Sequence, residues 1–258
     1  MWDNILTYRT ELPDGFEWEH FGVEHLSYLI GFALATVLMV VLYRRSSETR
    51  RRKIRIAYAC IVVALEVIKQ LICLVKGVYE PGLIPFHLCG MSIVFIAVHT
   101  VFPNKTTAEL LYSLSLPGAI AALLFSDWNI YPLANFFCQQ SFFIHFFEFS
   151  FPVLLLSTGE LRPRFTQLWR CVVYLLVVVP PIYFFNHAFN TNFFFLNEAA
   201  PGSPLSFLQS TLGNPGYIFG FAGLVAAVWC VMYLPWIMKT WWEKSRLSKP
   251  TSPGIEKP

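Results

Sequence analysis

Two residues of this chain have side chains that could act together as a nucleophile and a base. Cys89 lies at the start of one apolar stretch and His145 lies in the middle of another, where polar side chains are costly. An imidazole can accept the proton of a thiol, and the thiolate can then attack a carbonyl carbon. A free cysteine is also often no more than a small apolar side chain. Cys89 and His145 are therefore a candidate catalytic pair with a structural alternative.

Further polar residues are predicted to surround this pair. They are Glu66, Lys69, Gln70, His87, Ser141 and Glu148. Three of them recur at i, i+3 and i+4 in one stretch, and two share a face with His145 in another. At about 1.5 Å per residue, both faces and Cys89 reach a similar depth. We therefore expect a shared polar cavity, in which Glu66 or Glu148 orients the imidazole and Lys69 or Gln70 binds a developing oxyanion.

The same residues admit other interpretations. Glu66 and Lys69 could form a structural ion pair, or could relay protons together with His145. A metal site is not predicted, because side chains at His87 and Cys89 diverge by about 200° on a helix. No cofactor is predicted either, since the sequence has no phosphate-binding loop, HExxH or GxSxG motif.

The elements that carry these residues are apolar segments. Hydrophobic residues make up 55% of the 258 and charged residues only 14%, against about 25% charged in soluble domains. Seven segments approach the roughly 20 residues that cross a bilayer: 26–43, 57–77, 83–102, 107–126, 136–158, 169–186 and 215–238. The third should be a helix that opens on Pro85. The predicted fold is an all-α, polytopic membrane protein with about seven transmembrane helices.

The distribution of Lys and Arg predicts the orientation. Sixteen of them fall on one side of the seven spans, seven within 44–55 alone, and only Arg9 and Lys76 fall on the other. Positive charge accumulates in cytoplasmic loops, so we expect the N-terminus outside and the C-terminus in the cytoplasm. The cavity would then open to the outer leaflet and receive membrane lipids. A net charge of +3 gives no indication of nucleic acid as a partner.

Three regions follow from this topology. Residues 1–24 form an extracytoplasmic amphiphilic segment, 25–240 the transmembrane domain and 241–258 a cytoplasmic tail. The first segment mixes acidic and aromatic residues and is predicted to be a surface helix or a lid. The outer loop 187–214 is longer than ordinary connections and could cover the cavity, with Asn192, Phe193 and Phe195 as a possible substrate loop. The six cysteines are predicted to be free thiols.

Several short motifs together resemble a known family. In chain order they are FGVEHLSYL, LEVIKQ, LIPFHLC, SLPGAIAALLF, TNFFFL and LGNPGYIFGF, spanning about residues 21–220. With a histidine in the fifth span, this order is similar to that of the YwaF-type integral membrane proteins, which include the animal transmembrane protein 164. The sequence departs from the family pattern in TNFFFL, which lacks the family's tyrosines, and in NPGY, where the proline is shifted.

The resemblance carries a functional expectation. Transmembrane protein 164 is regarded as a phospholipid acyltransferase that uses a cysteine and a histidine. Its fold is similar to that of the androgen-induced hydrolases, which cleave lipid esters. By position, the resemblance implies Cys89 as nucleophile and His145 as base. We therefore expect a lipid acyl hydrolase or acyltransferase, in a bacterial cytoplasmic membrane. The alternative is a non-catalytic lipid-binding or proton-coupled transport protein with a structural Glu66–Lys69 pair.

Overall fold

The fold is built from helices alone throughout the residues described by the computed structural model, 4–13 and 15–247. Seven helices are long and apolar enough to cross a membrane, which confirms the predicted fold class. The helices are α1 (Val23–Arg45), α2 (Glu48–Val75), α3 (Leu88–Val101), α4 (Lys105–Leu124), α5 (Phe136–Thr158), α6 (Trp169–Phe189), α7 (Pro204–Leu212) and α8 (Tyr217–Leu247). Most of the predicted tail, 248–258, lies outside the described residues.

The connections fall on two opposite faces. The N-terminal face comprises residues 4–13, 15–22, 76–87, 125–135 and 190–216, and the basic face comprises 46–47, 102–104 and 159–168. On the N-terminal face, the backbone N–H of Trp18 donates to the Asn129 carbonyl at 3.2 Å. On the basic face, Arg55 is ion-paired with Glu160. These contacts join helix ends that are far apart in sequence.

Helix α2 begins earlier than its apolar segment indicates. The segment was predicted from residue 57, but the helix starts at Glu48 and includes the basic stretch. Arg51 and Arg55 lie one turn apart, so both reach the carboxylate of Glu160, and Arg55 also binds Glu48 at 2.8 Å. Arg, Lys and Glu are good helix formers, and this network therefore extends the helix beyond the apolar region.

Helix α3 begins later than predicted. It starts at Leu88 and not at Pro85, after a 3₁₀ turn at Pro81–Leu83 and a short extended stretch. The residue before a proline favours extended backbone, and Ile84 has φ −58° and ψ 134°. The chain bends so tightly that a β-carbon at Gly90 would lie 2.7 Å from the carbonyl carbon of Pro85. Consequently His87 precedes the helix and Cys89 lies in its first turn.

Helices α4 and α5 form the interior of the bundle. Within their apolar windows 61% and 56% of residues are buried, against 11% in α6. Helix α4 widens into a π-helical turn at Leu111–Ser115, immediately before Pro117, which cannot donate a backbone hydrogen bond. The Ser113 carbonyl in this turn accepts a hydrogen bond from Trp229 Nε1 at 2.8 Å. The irregular turn thus anchors α8 to the interior.

The long connection after α6 is folded. It contains a 3₁₀ turn at Phe193–Phe195 and helix α7, neither of which the apolar pattern predicted. The side chain of Asn186 organises its first part. Asn186 Nδ2 donates to the Phe193 carbonyl at 2.9 Å, and its Oδ1 accepts from Phe193 N and Thr191 Oγ1. The connection is therefore held against the end of α6.

Candidate functional site

A cavity of about 110 Å³ lies between α2, α3 and α5 near the N-terminal face. It is lined by Glu66, Lys69, Gly82, Leu83, Ile84, Pro85, His87, Cys89, Gly90, Ile93, Gln140, Ser141, Ile144 and His145. Six of the eight residues that the sequence singled out for the site are among them. Gln70 and Glu148 are the two that do not line it. Residues from three helices, far apart in sequence, are thus brought to one enclosed space.

Cys89 is placed by the beginning of α3. It is a free, partly buried thiol in the first turn, where backbone N–H groups have no partner within the helix. No side chain caps this end of the helix. The positive end of the helix dipole favours an anion there, as at other reactive cysteines. The position of Cys89 therefore suits a thiolate better than a mid-helix position would.

The imidazole of His145 is fixed from two sides. Its Nδ1 lies 2.7 Å from the Ser141 carbonyl oxygen, one turn earlier in α5. A carbonyl oxygen can only accept, so Nδ1 carries the proton and Nε2 keeps its lone pair. The ring stacks on Trp128, with centroids 4.9 Å apart and planes inclined by 11°. His145 is therefore held in the tautomer that a general base requires.

The carboxylates do not orient this imidazole. Glu66 binds within α2, and Glu148, although one turn beyond His145, makes no hydrogen bond to it. Glu148 is only 1% exposed, and its Oε1 has no hydrogen-bond partner. Cys89 and His145 also make no hydrogen bond to each other among the described residues. The two groups line a common cavity. Catalytic groups without substrate often lack the hydrogen bond that they form in the substrate complex.

Glu66 and Lys69 form a direct ion pair. Lys69 Nζ lies 2.8 Å from Glu66 Oε2, and the two side chains are 20% and 13% exposed. Gln70 Nε2 donates both to Glu66 Oε1, at 2.6 Å, and to the Leu83 carbonyl, at 2.7 Å. Both N–H groups of Gln70 are thereby used. Of the two residues expected to bind an oxyanion, Lys69 is the one with N–H donors left over.

The loop after α6 reaches the site through His87. The ring of Phe193 meets the His87 ring edge-on at 4.9 Å, and Phe195 lies 5.7 Å from it. Phe193 is fully buried. Asn192, by contrast, holds the loop together, because its Oδ1 accepts from the backbone N–H groups of Asn197 and Glu198. The phenylalanines of the predicted substrate loop therefore pack beside the site, and Asn192 supports the loop.

The N-terminal segment crosses the rim of the cavity. Arg9 Nη2 and Tyr8 Oη bind Glu80 Oε1 at 2.7 and 2.9 Å. A β-carbon at Gly82, which lines the cavity, would lie 3.9 Å from Arg9 Nη2. Burial, the largest single influence, would raise the pKa of Glu80, but the hydrogen bonds from Arg9 and Tyr8 hold it below the ordinary 4.5. We call the contacts of Tyr8 and Arg9 with Glu80 the rim latch.

Several residues at the site were not predicted. Trp128 comes from the α4–α5 connection, which carries no helical pattern, and Gln140 is an ordinary polar residue of α5. Gly90 is required by the close approach of Pro85. No sequence spacing relates Trp128 or Gln140 to Cys89. The mixture of aromatic and acidic residues near the N-terminus did indicate a covering segment in that part of the chain.

The described residues contain no cluster of three or more His, Cys, Asp or Glu side chains able to hold a metal ion. The ionisable side chains at the cavity already have other contacts. Glu66 neutralises Lys69, His145 binds a carbonyl, and His87 packs against phenylalanine rings. The donors that face the cavity are thus suited to acid–base and nucleophilic chemistry on an organic group.

The fold and the cavity define a class: a seven-helix membrane protein with a thiol, an imidazole and an ion pair around one cavity. The chain belongs to the TMEM164 family, whose model matches residues 20–233 and so includes every residue that lines the cavity. No curated protein and no solved structure matches the chain.

Proposed function

We propose that this protein transfers or hydrolyses lipid acyl groups within the membrane, with Cys89 as nucleophile and His145 as base. One observation carries the proposal. A thiol in the first turn of α3 and an imidazole with an unprotonated Nε2 line the same cavity. Membership of the TMEM164 family supports a role that involves lipids.

The reaction follows from these two groups. His145 Nε2 takes the thiol proton, and Cys89 Sγ attacks the carbonyl carbon of a lipid ester. The bond from that carbon to the alcohol oxygen breaks, and the imidazolium returns its proton to the departing alcohol. A thioester on Cys89 remains. Water or the hydroxyl of a second lipid then attacks it, with His145 again accepting a proton, and the thiol is restored.

The developing oxyanion has nearby donors. The first-turn N–H groups of α3 lack partners within the helix, and Cys89 and Gly90, two residues of that turn, line the cavity. Lys69 adds a positive charge on the opposite side, from α2. Donors fixed in this way before the reaction contribute strongly to acyl transfer. Lys69 and the beginning of α3 therefore supply what the expected oxyanion site requires.

The size of the cavity indicates how a lipid would bind. A volume of about 110 Å³ holds the ester group and a few neighbouring atoms, and not an entire acyl chain. The chains would remain among the bundle helices and the surrounding lipid. Because the cavity lies near the N-terminal face, an outward N-terminus would give access from the outer leaflet, in the cytoplasmic membrane of a bacterium.

A non-catalytic role is the second candidate, and a specific observation favours it. Glu66 and Lys69 neutralise each other, and Gln70 Nε2 donates a hydrogen bond to Glu66. A buried ion pair of this kind can serve to fix the packing of helices. In this role the protein would bind lipid, or carry protons along α2, and Cys89 would be an ordinary packed side chain.

Labelling with a lipid-like thioester probe separates the two candidates. The detergent-purified protein is treated with an acylating probe, and each adduct is counted and located by intact mass and peptide mapping. Wild type is compared with Cys89→Ala and His145→Gln. Cys60→Ala is the matched control, because Cys60 is an exposed thiol on α2 that does not line the cavity.

The proposal expects one rapid adduct on Cys89. It should disappear in Cys89→Ala, slow at least about 100-fold in His145→Gln and persist unchanged in Cys60→Ala. Slow labelling spread over several of the six cysteines, and indifferent to His145, would contradict catalysis and favour the lipid-binding role. Equal reactivity of the Cys89 and Cys60 thiols at neutral pH would likewise contradict catalysis.

A further inference from the structure

A second cavity lies on the N-terminal face, away from Cys89. Its volume is about 150 Å³, and it is lined by Tyr183, His187, Leu196, Asn197, Asn214 and Pro215. These residues come from the end of α6, from the loop that follows it and from the turn before α8. The cavity shares no residue with the one that contains Cys89. It is therefore a separate space with its own chemistry.

The polar side chains of this second cavity keep both hydrogen-bond acceptors and hydrogen-bond donors for a ligand, because each asparagine amide uses only one of its two N–H groups. His187 Nδ1 lies 3.0 Å from the Tyr183 carbonyl, so it donates there and leaves Nε2 as an acceptor. Asn214 Nδ2 donates to the Asn197 carbonyl at 2.6 Å, and Asn197 Nδ2 donates to the Thr191 carbonyl at 2.8 Å. Asn197 Oδ1 is buried without any partner. Buried polar atoms without partners are uncommon in folded proteins.

The lining is also free of charge, which restricts the ligand. Lys, Arg, Asp and Glu are absent from the residues around the cavity, so neither a phosphate nor an ammonium group would find a counter-ion. Tyr183 and His187 instead form an aromatic wall, with ring centroids 4.4 Å apart. Donors and acceptors beside aromatic rings fit a ligand whose O–H groups both donate and accept and which also presents C–H groups. We propose that this cavity binds a neutral polyhydroxyl group, such as a glycosyl group.

The surroundings of the cavity place this group at a lipid surface. Phe184 beside Tyr183 is 70% exposed, and Phe219 near the start of α8 is 81% exposed. Large exposed apolar side chains on the helices of a membrane protein mark contact with lipid. A sugar attached to a lipid could therefore enter the cavity from the membrane while its chains stay in the bilayer. A free sugar offers the same O–H donors but lacks that anchorage.

Native mass spectrometry can test this binding directly. The protein is purified in lauryldimethylamine N-oxide, which carries no sugar that would compete. Equal amounts of glucosyl diacylglycerol, phosphatidylcholine and phosphatidylethanolamine are added, and the retained lipid adducts are counted. A parallel sample contains excess free glucose, which distinguishes a soluble sugar from a lipid-borne one. This measurement requires no knowledge of activity at Cys89 and is independent of it.

Two variants locate the site. His187→Phe keeps a ring but removes the acceptor, and Tyr183→Leu removes the aromatic wall. Each should weaken binding of glucosyl diacylglycerol about tenfold, the effect of one hydrogen bond or one ring contact. Glu198→Gln is the matched control, because Glu198 is exposed next to Asn197 but does not line the cavity. It should leave binding unchanged.

Selective retention of the glycolipid, reduced by both variants and not by the control, supports the site. Displacement by free glucose would identify a soluble polyhydroxyl ligand for the same site, and no displacement would identify a lipid-borne one. Equal retention of all three lipids would overturn the proposal. So would preferential retention of phosphatidylethanolamine, or glycolipid binding that neither variant affects.

Discussion

Breaking the Glu66–Lys69 ion pair from either side should destabilise the protein far more than removing both charges together. At 2.8 Å, the gross attraction is about 6 kcal/mol for an effective dielectric constant of about 20. Most of this offsets the desolvation of two groups that are less than one-quarter exposed. A single charge left behind keeps its desolvation penalty and loses its partner.

The expected magnitudes follow from that imbalance. Glu66→Gln and Lys69→Met should each reduce the free energy of unfolding by about 3 kcal/mol. This corresponds to a Tm about 6–12 °C lower for a chain of this size. The double variant should return to within about 3 °C of wild type, because no uncompensated charge remains. The measurement is tryptophan fluorescence during heating in one detergent, with all four proteins at equal concentration.

The exposed pair Arg9–Glu80 provides the control. Its side chains are 51% and 34% exposed, so Arg9→Gln should change Tm by no more than about 3 °C. If the Glu66 and Lys69 substitutions are additive, so that the double variant is the least stable protein of the four, the ion-pair reasoning is refuted. The same four proteins should also be labelled at Cys89. If the double variant regains stability but is labelled slowly at Cys89, Lys69 stabilises the oxyanion and does not serve packing alone.

Three further predictions concern positioning and the rim. Trp128→Ala should slow labelling of Cys89 about tenfold and Trp128→Phe only about threefold, since a smaller ring still stacks on the imidazole. Gly90→Ala should lower Tm by at least about 4 °C, because its β-carbon would meet backbone. The rim latch should hold at neutral pH and loosen as pH falls through the depressed pKa of Glu80, below 4.5. The measurement is hydrogen exchange in residues 4–13, which should become faster as the latch loosens.

Each of these has a control. If Cys89 is labelled as fast in both Trp128 variants as in wild type, the stacked ring does not position the base. Gly31→Ala matches Gly90→Ala, because a β-carbon at Gly31 would meet nothing within 4 Å and should leave Tm unchanged or slightly higher. Glu80→Gln should open the N-terminal segment at all pH values. Exchange in residues 4–13 that remains pH-dependent in that variant would assign the dependence to another group.

Much of the fold could be read from hydropathy because the membrane imposes it. A segment in hydrocarbon must satisfy its own backbone, so apolar length alone predicts each helix. The fifth segment, 136–158, was predicted at the bounds that the structure shows. The prediction was wrong at two boundaries, one set by ion pairs and one by a proline. Arg51 and Arg55 extend α2 through their contacts with Glu160, and the bend at Pro85 delays α3.

The candidate site was predictable in part for a related reason. Polar side chains are rare within apolar helices and stand out, and helical spacing shows which of them share a face. Glu66 with Lys69 and Ser141 with His145 could be grouped in this way. Trp128 could not, because nothing in a loop sequence states which helix the loop returns to.

The sequence by itself determined that seven helices cross a membrane and that a few polar residues are kept inside them. Both are local consequences of hydropathy and helical period. Only the tertiary structure decided that Trp128 holds the His145 ring and that Gln70 Nε2 donates to the Leu83 carbonyl. Those facts depend on distances between residues far apart along the chain. Such distances are set by how the helices pack against one another, and no single segment encodes them.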